Sequence, residues 1–98
     1  MTITKEQNGG NLTLAPVGRL DTTTAPMLET ELKGSLGGVT ELILDFEGLE
    51  YISSAGLRVL LSAQKTMNQQ GSMKVIHVCA DIMDVFEITG FADILTVE

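Results

Sequence analysis

The chain has 98 residues, of which 44% are hydrophobic, and its formal net charge is −7 at pH 7. This length and apolar content suit a single domain over residues 1–98, with one core and no room for a second. The six Lys and Arg residues are scattered along the chain. Their scatter argues against a nucleic-acid partner, because binding through phosphate contacts needs clustered positive charge.

The first predicted elements are two strands joined by a turn. Leu12–Gly18 alternates like a strand, and Gly9–Asn11 before it predicts a turn from a short first strand near Ile3. A β-hairpin therefore opens the predicted fold. Pro16 cannot donate a hydrogen bond, so we expect it at a sheet edge or a bulge.

A helix and a strand are predicted next. The hydroxyls of Thr22–Thr24 ahead of Pro26 are typical of a helix start, and the glycines between 34 and 38 end that helix. The apolar positions Leu28, Leu32 and Leu36 share one helical face. Glu41–Phe46 then forms an apolar run that predicts a strand buried on both faces.

The second helix has the clearest periodicity in the chain. Its apolar positions recur at helical spacing from Ser54 to Gln70, and Gly71 ends it. Met73–Val78 follows as a predicted strand.

A short third helix and a last strand complete the chain. Asp81 and Asp84 resemble a capping pair for a helix that runs through Thr89 and is closed by Gly90. Ile94–Val97 is predicted to be the terminal strand. The order is therefore β-β-α-β-α-β-α-β, an α/β fold whose mixed β-sheet is opened by an antiparallel hairpin and packed with helices.

Two hydroxyls lie at the predicted start of the second helix, Ser53 and Ser54. The first N–H groups of a helix lack internal acceptors, and the helix dipole leaves partial positive charge there, so a phosphate is well accommodated. Serine is also a good N-cap, worth about 1 kcal/mol to a helix. Either serine could therefore serve as a cap alone.

The chain offers little for catalysis or metal binding. His77, the only histidine, falls within a predicted strand, and Ser53–Gly56 does not fit the G-x-S-x-G elbow of serine hydrolases. Cys79 is the only cysteine, so no disulfide and no paired-cysteine site can form. The acidic residues are dispersed in sequence, so we expect no metal site, no cofactor and no enzymatic activity.

Targeting signals are also missing from the sequence. The N-terminal residues lack a basic region followed by an apolar stretch, and no apolar run is long enough to span a bilayer. We therefore expect a cytoplasmic protein that does not insert into membranes.

Three segments together resemble one protein family. Leu44–Leu57 resembles the signature of bacterial anti-sigma-factor antagonists, the STAS domain family, in which a strand and a short loop lead into a D-S-x-G-L type motif and a helix. Gly18–Asp21 followed by Thr24 resembles the family's G-x-L-D turn, and Val85–Phe91 resembles its late helix. The resemblance spans nearly the whole chain and implies a single STAS-like domain.

The family resemblance implies a partner switch that regulates transcription. The unmodified protein would bind an anti-sigma factor that is also a serine kinase, and this kinase would release it by phosphorylating a serine at a helix start. A serine/threonine phosphatase would remove the phosphate. The phosphorylated serine of the family aligns with Ser54, with Ser53 as the alternative, and the resemblance implies that Asp21 lies near it at the partner surface. Arg58, one turn on, stands where many members have glycine, and it could pair with the phosphate or with an acidic partner, so we add it to the expected partner surface.

A second interpretation of the same resemblance involves no phosphorylation. The chain would then be a STAS-type accessory subunit of a transporter or larger signalling assembly, and its serines would be helix caps. The sequence leaves both interpretations open; a third, a small enzyme of unknown type, would need a base close to Ser54.

Overall fold

The computed structural model describes all 98 residues and contains five strands and three α-helices in the order β-β-α-β-β-α-β-α. Their bounds are β1 (Thr2–Asn8), β2 (Asn11–Leu20), α1 (Ala25–Ser35), β3 (Glu41–Asp45), β4 (Leu49–Ile52), α2 (Ser54–Gln70), β5 (Ser72–Ile76) and α3 (Ala80–Thr89), followed by a 3-10 turn (Phe91–Asp93). The predicted α/β class and the opening hairpin are confirmed.

The sheet is mixed, with the strand order β1-β2-β3-β5. β1 and β2 pair antiparallel around a turn at Gly9-Gly10, whereas the β2–β3 and β3–β5 pairs are parallel. β4 lies off this path and pairs in parallel with the last residues of β2, from Gly18 to Leu20. The parallel strands therefore all end at the same edge of the sheet.

One face of the sheet carries the core. Leucine, methionine and valine side chains stand in two rows across the parallel strands and are at most 4% exposed: Leu12, Leu42 and Met73 in one row, and Leu14, Leu44 and Val75 in the other. Ile43, on the opposite face, is only half-buried. The predicted burial of β3 on both faces is therefore wrong, since this strand alternates as expected for a sheet covered on one side.

Pro16 lies where β2 changes partners. Residues up to Leu14 pair with β3 and residues from Gly18 pair with β4, with a register shift between Gly18 and Arg19. On its other side Pro16 pairs with Ile3 of β1, so it lies at neither an edge strand nor the register shift, and the predicted position at an edge or bulge is wrong.

The predicted element order is wrong at two places. β4 was not predicted as a strand. Its first and last residues, Leu49 and Ile52, are buried and the two between them are exposed, so the sequence lacks the alternation that identifies a strand. The predicted terminal strand Ile94–Val97 is absent. The chain instead leaves the 3-10 turn Phe91–Asp93 without forming a strand, and among residues 94–97 only Val97 forms a β-bridge, to Val75.

The helix ends agree better with the sequence. α2 runs from Ser54 to Gln70 as predicted, and Gly71 follows it because a β-carbon there would clash with the carbonyl oxygen of Thr40. Gly90 closes α3 in the left-handed conformation. The predicted capping role of Asp81 is wrong, because α3 begins at Ala80 with Cys79 as its N-cap. None of the helices combines the length and the apolar character that crossing a membrane requires.

Candidate functional site

The start of α2 is held against the ends of β2 and β4. Leu20 pairs with Ile52, and the backbone N–H of Ser53 donates a 2.8 Å hydrogen bond to the carbonyl of Leu20. Gly56 allows this approach: a β-carbon there would lie 2.8 Å from side-chain atoms of both Ile52 and Leu20. The first turn of α2 is therefore fixed tightly to the sheet edge.

The two serines at this helix start have different environments. Ser53 is the N-cap in an extended conformation, is half-buried, and its Oγ accepts from the N–H of Gly56 at 3.5 Å. Ser54 is the first residue of the helix and is exposed, and its hydroxyl makes no hydrogen bond within the chain. Only one of the two hydroxyls is thus occupied by capping.

Asp21 follows Leu20 and organises the turn before α1. Its Oδ1 accepts from the N–H groups of Thr23 (3.0 Å) and Thr24 (3.1 Å), and its own N–H donates to Thr24 Oγ1 at 2.9 Å. The Thr24 N–H is the main cause that holds the pKa of the Asp21 carboxyl below its ordinary value of 3.8. The carboxylate is consequently ionised at neutral pH beside the strand end that anchors α2.

Arg58 lies one turn along α2 from Ser54 and is exposed. It lines a groove of about 190 Å³ between the starts of α1 and α2, together with Thr22, Pro26 and Glu29. It forms no ion pair within 4 Å. Its guanidinium is therefore available to a group bound near this helix start.

One exposed pair at this edge was not predicted from the sequence. The Arg19 guanidinium stacks 4.2 Å from the centroid of the Tyr51 ring, across the β2–β4 pairing that also joins Leu20 to Ile52. Tyr51 is 39% exposed. This contact depends on β4 pairing with β2, so it could be found only after β4 had been recognised as a strand.

A second group that the sequence analysis missed lies at the ends of β3 and β5. Asp45, Glu47 and His77 place their ligand atoms within 4.8 Å of one another, so the expected dispersal of acidic side chains does not hold here. His77 follows β5 rather than lying inside a strand, and its Nδ1 is 2.9 Å from Asp45 Oδ1. The sequence contained a clue to this contact: a strand that ends in an acid and a neighbouring parallel strand that ends beside a histidine bring the two side chains together.

The hydrogen bond between Asp45 and His77 shifts the pKa of both side chains. Partial burial tends to raise the pKa of Asp45, but hydrogen bonds from the His77 ring and the Glu47 N–H outweigh it and lower the pKa below 3.8. The bond to Asp45 raises the pKa of His77 above 6.5.

Comparisons with known sequences find relatives that cover nearly the whole chain. The sequence model of the STAS domain family matches residues 2–98. BtrV of Bordetella bronchiseptica, provisionally named an anti-sigma factor antagonist, is 36% identical over 99% of this chain and 85% of its own. The anti-sigma-B factor antagonist of Bacillus subtilis is 27% identical over 94% of this chain and 85% of its own.

Solved structures share the fold at low sequence identity. An anti-sigma factor antagonist from Mycobacterium paratuberculosis matches with a TM-score of 0.88 at 21% identity, over 98% of this chain and 83% of its own. The Bacillus cell fate determinant SpoIIAA in its phosphorylated form matches at 0.77 and 18%, over 99% and 91%. The murine anion transporter Slc26a9 matches at 0.77 and 15%, over 94% of this chain but 16% of its own. At these identities the likeness concerns the fold alone.

Proposed function

Because this chain belongs to the STAS domain family, we propose that it is an anti-sigma factor antagonist that works by partner switching. In its unmodified form it binds an anti-sigma factor that is also a serine kinase. Phosphorylation of Ser54 releases it, and a serine/threonine phosphatase restores the binding form. The observation that carries this proposal is the exposed, unbonded hydroxyl of Ser54 at the first position of α2.

Ser54 is a better phosphate acceptor than Ser53 on physical grounds. A kinase must reach the hydroxyl and align it, and Ser54 is the exposed one. The Ser53 side chain is half-buried and caps α2, and its backbone N–H and C=O bond to Leu20 and Leu57. Modifying Ser53 would require the helix start to rearrange, whereas modifying Ser54 would not.

A phosphate at Ser54 would be tolerated by the fold. A phosphoserine adds about −1.5 to −2 charges, which the partial positive charge of a helix N-terminus partly offsets. Arg58 lies four residues on, at the spacing where helical side chains meet, and forms no competing ion pair. The effect should therefore fall on the partner, whose surface must desolvate or repel the new charge.

The partner surface we propose consists of Asp21, Ser53, Ser54 and Arg58. Asp21 follows Leu20 in the chain, and the N–H of Ser53 donates to the Leu20 carbonyl, so the two residues lie at the same strand end. Arg58 lines the groove between α1 and α2. The surface thus combines a fixed carboxylate, a free hydroxyl and a free guanidinium on rigidly held elements. Such a combination favours recognition by complementary charges on the partner.

The first experiment tests the site of modification. Incubation with ATP and a cognate serine kinase should add one phosphate by intact-mass spectrometry, and Ser54→Ala should abolish this while Ser53→Ala should not. Unchanged incorporation in Ser54→Ala would remove Ser54 from the proposal. No incorporation by any kinase encoded nearby would instead favour the accessory-subunit interpretation.

The second experiment tests the mechanism of release. Ser54→Asp should fold like the parent, within about 1 kcal/mol, because a carboxylate is favourable in the first turn of a helix. Its binding to the kinase, measured by calorimetric titration beside thermal melts, should nevertheless weaken strongly. Ser62→Asp is the matched control: Ser62 is exposed on the same helix, about 12 Å further along, and this variant should bind like the parent.

Two results would contradict local electrostatic release. Ser54→Asp would bind as tightly as the parent, or it would lose binding only because it had unfolded. In either case a conformational switch would replace the local one.

We also propose that the chain has no catalysis of its own. The Ser54 hydroxyl has no base hydrogen-bonded to it, and the only imidazole is bonded to Asp45. Purified protein should neither hydrolyse ester or phosphate substrates nor phosphorylate itself from ATP. Turnover that persists through purification and disappears in His77→Ala would overturn this.

A further inference from the structure

Asp45, Glu47 and His77 form a compact mixed group of oxygen and nitrogen donors, which we call the β3–β5 cluster. Asp45 is the last residue of β3, and His77 directly follows β5. Asp45 pairs with Ile76 across the parallel ladder, and the N–H of Phe46 donates to the carbonyl of Ile76 at 2.9 Å. The two segments therefore leave the sheet side by side, held by backbone hydrogen bonds.

The side chains of this cluster converge from those two segments. His77 Nδ1 is 2.9 Å from Asp45 Oδ1, and the same oxygen accepts from the Glu47 N–H at 3.0 Å, which turns the chain back after β3. One ligand atom from each of the three residues lies within 4.8 Å of the others. Two carboxylates and an imidazole thus face one small volume.

No lysine or arginine pairs with the two carboxylates, and the only ionic partner within the cluster is the His77 ring on Asp45. The Lys and Arg ion pairs of the chain join Lys5, Lys33 and Lys74 to other acids, and none involves Asp45 or Glu47. The imidazole of His77 is more than half exposed, so water and ions can reach the cluster. A metal cation bound there could take the place of the proton shared by Asp45 and His77.

We propose that the β3–β5 cluster binds a divalent first-row transition-metal ion, with Zn²⁺ as the representative. A set of one imidazole and two carboxylates suits Zn²⁺ better than Mg²⁺ or Ca²⁺, which prefer oxygen donors alone. Zinc bonds of 2.0–2.1 Å in a tetrahedron put ligand atoms about 3.4 Å apart. The three donors, within 4.8 Å of one another, would have to move to that separation, and water would complete the coordination. This proposal is independent of Ser54 and of the partner switch.

Titration of the purified chain with ZnCl₂ tests the site. Calorimetry should show one saturable site, and the ring resonances of His77, the only histidine, should shift with the same midpoint in NMR spectra. His77→Gly and Glu47→Gln should each weaken binding at least about tenfold, since even the loss of a group that supports a ligand typically costs that much. Glycine is chosen because His77 has φ +57°, a conformation that glycine adopts without strain.

Two matched controls separate the cluster from adventitious binding. Glu50→Gln removes an exposed carboxylate on β4, and Cys79→Ser removes the exposed thiol two residues after His77. Both variants should bind Zn²⁺ like the parent. A millimolar excess of Mg²⁺ should not displace the ion.

Three outcomes would overturn the proposal. The parent would show no saturable Zn²⁺ binding up to millimolar concentration. Binding would persist in both His77→Gly and Glu47→Gln. Or binding would be lost in Cys79→Ser but kept in His77→Gly, which would assign the ion to the thiol.

Discussion

The starts of α1 and α2 carry similar short polar side chains but use them differently. Before α1, the Asp21 carboxylate accepts from two backbone N–H groups and the Asp21 N–H donates to Thr24 Oγ1, so the side chains of Asp21 and Thr24 both have structural partners. At α2, Ser53 makes one long hydrogen bond and Ser54 makes none. Asp21 and Thr24 therefore hold the turn before α1 in place, whereas the Ser54 hydroxyl at the start of α2 holds nothing in place.

The largest expected effect concerns the anchoring of α2. Gly56→Ala places a methyl group 2.8 Å from atoms of both Leu20 and Ile52, which are buried, so we expect a loss of about 1–3 kcal/mol from overpacking. Urea unfolding measures it. Gly34→Ala in α1 is the control: nothing lies within 4 Å, so this variant should gain up to about 1 kcal/mol. Equal stability of the two variants would contradict the tight anchoring of α2.

The next effect compares Asp21, which holds the turn before α1, with Ser53, the N-cap of α2. Asp21→Ala should lower the free energy of unfolding at neutral pH by more than Ser53→Ala, because Asp21 accepts two short hydrogen bonds and Ser53 one at 3.5 Å. For Ser53→Ala we expect about 0.5 kcal/mol, at the low end for N-cap substitutions. The reverse order would show that the Ser53 cap stabilises the fold more than the Asp21 turn does.

The Asp21 effect should depend on pH. Its folded pKa is lowered below 3.8, chiefly by the Thr24 N–H, so its stabilisation is present above 3.8 and is lost as the pH falls through the folded pKa. The stability difference between the parent and Asp21→Asn should therefore shrink in urea titrations carried from pH 6 down to pH 3. A constant difference over that range would mean that the charge on Asp21 is not stabilising.

The smallest effect is expected at Ser54. Its hydroxyl has no partner within the chain, so Ser54→Ala should change the free energy of unfolding by less than about 0.5 kcal/mol. The same variant should abolish phosphorylation if the proposed function is right. A large loss of stability would give Ser54 a structural role and weaken the contrast with α1.

The sequence by itself determined the helices whose spacing and caps depend only on residues close together in the chain. The helical spacing of α2 predicted both of its ends, and Gly90 predicted the end of α3, because capping and amphipathic spacing depend on residues a few positions apart. The two adjacent serines at the start of α2 were likewise visible in the sequence. Which of the two is occupied by capping was not, since that depends on the backbone conformation at Ser53.

The tertiary structure decided everything that depends on pairing between distant segments. β4 is a strand because Leu49–Ile52 meets the end of β2, and Val97 forms a single bridge because β5 lies beside it. Asp45 and His77, 32 positions apart, meet because β3 and β5 run parallel and end together. Such contacts depend on strand register across the whole sheet, which no local pattern encodes, whereas caps and helical faces are set by neighbouring residues in the chain.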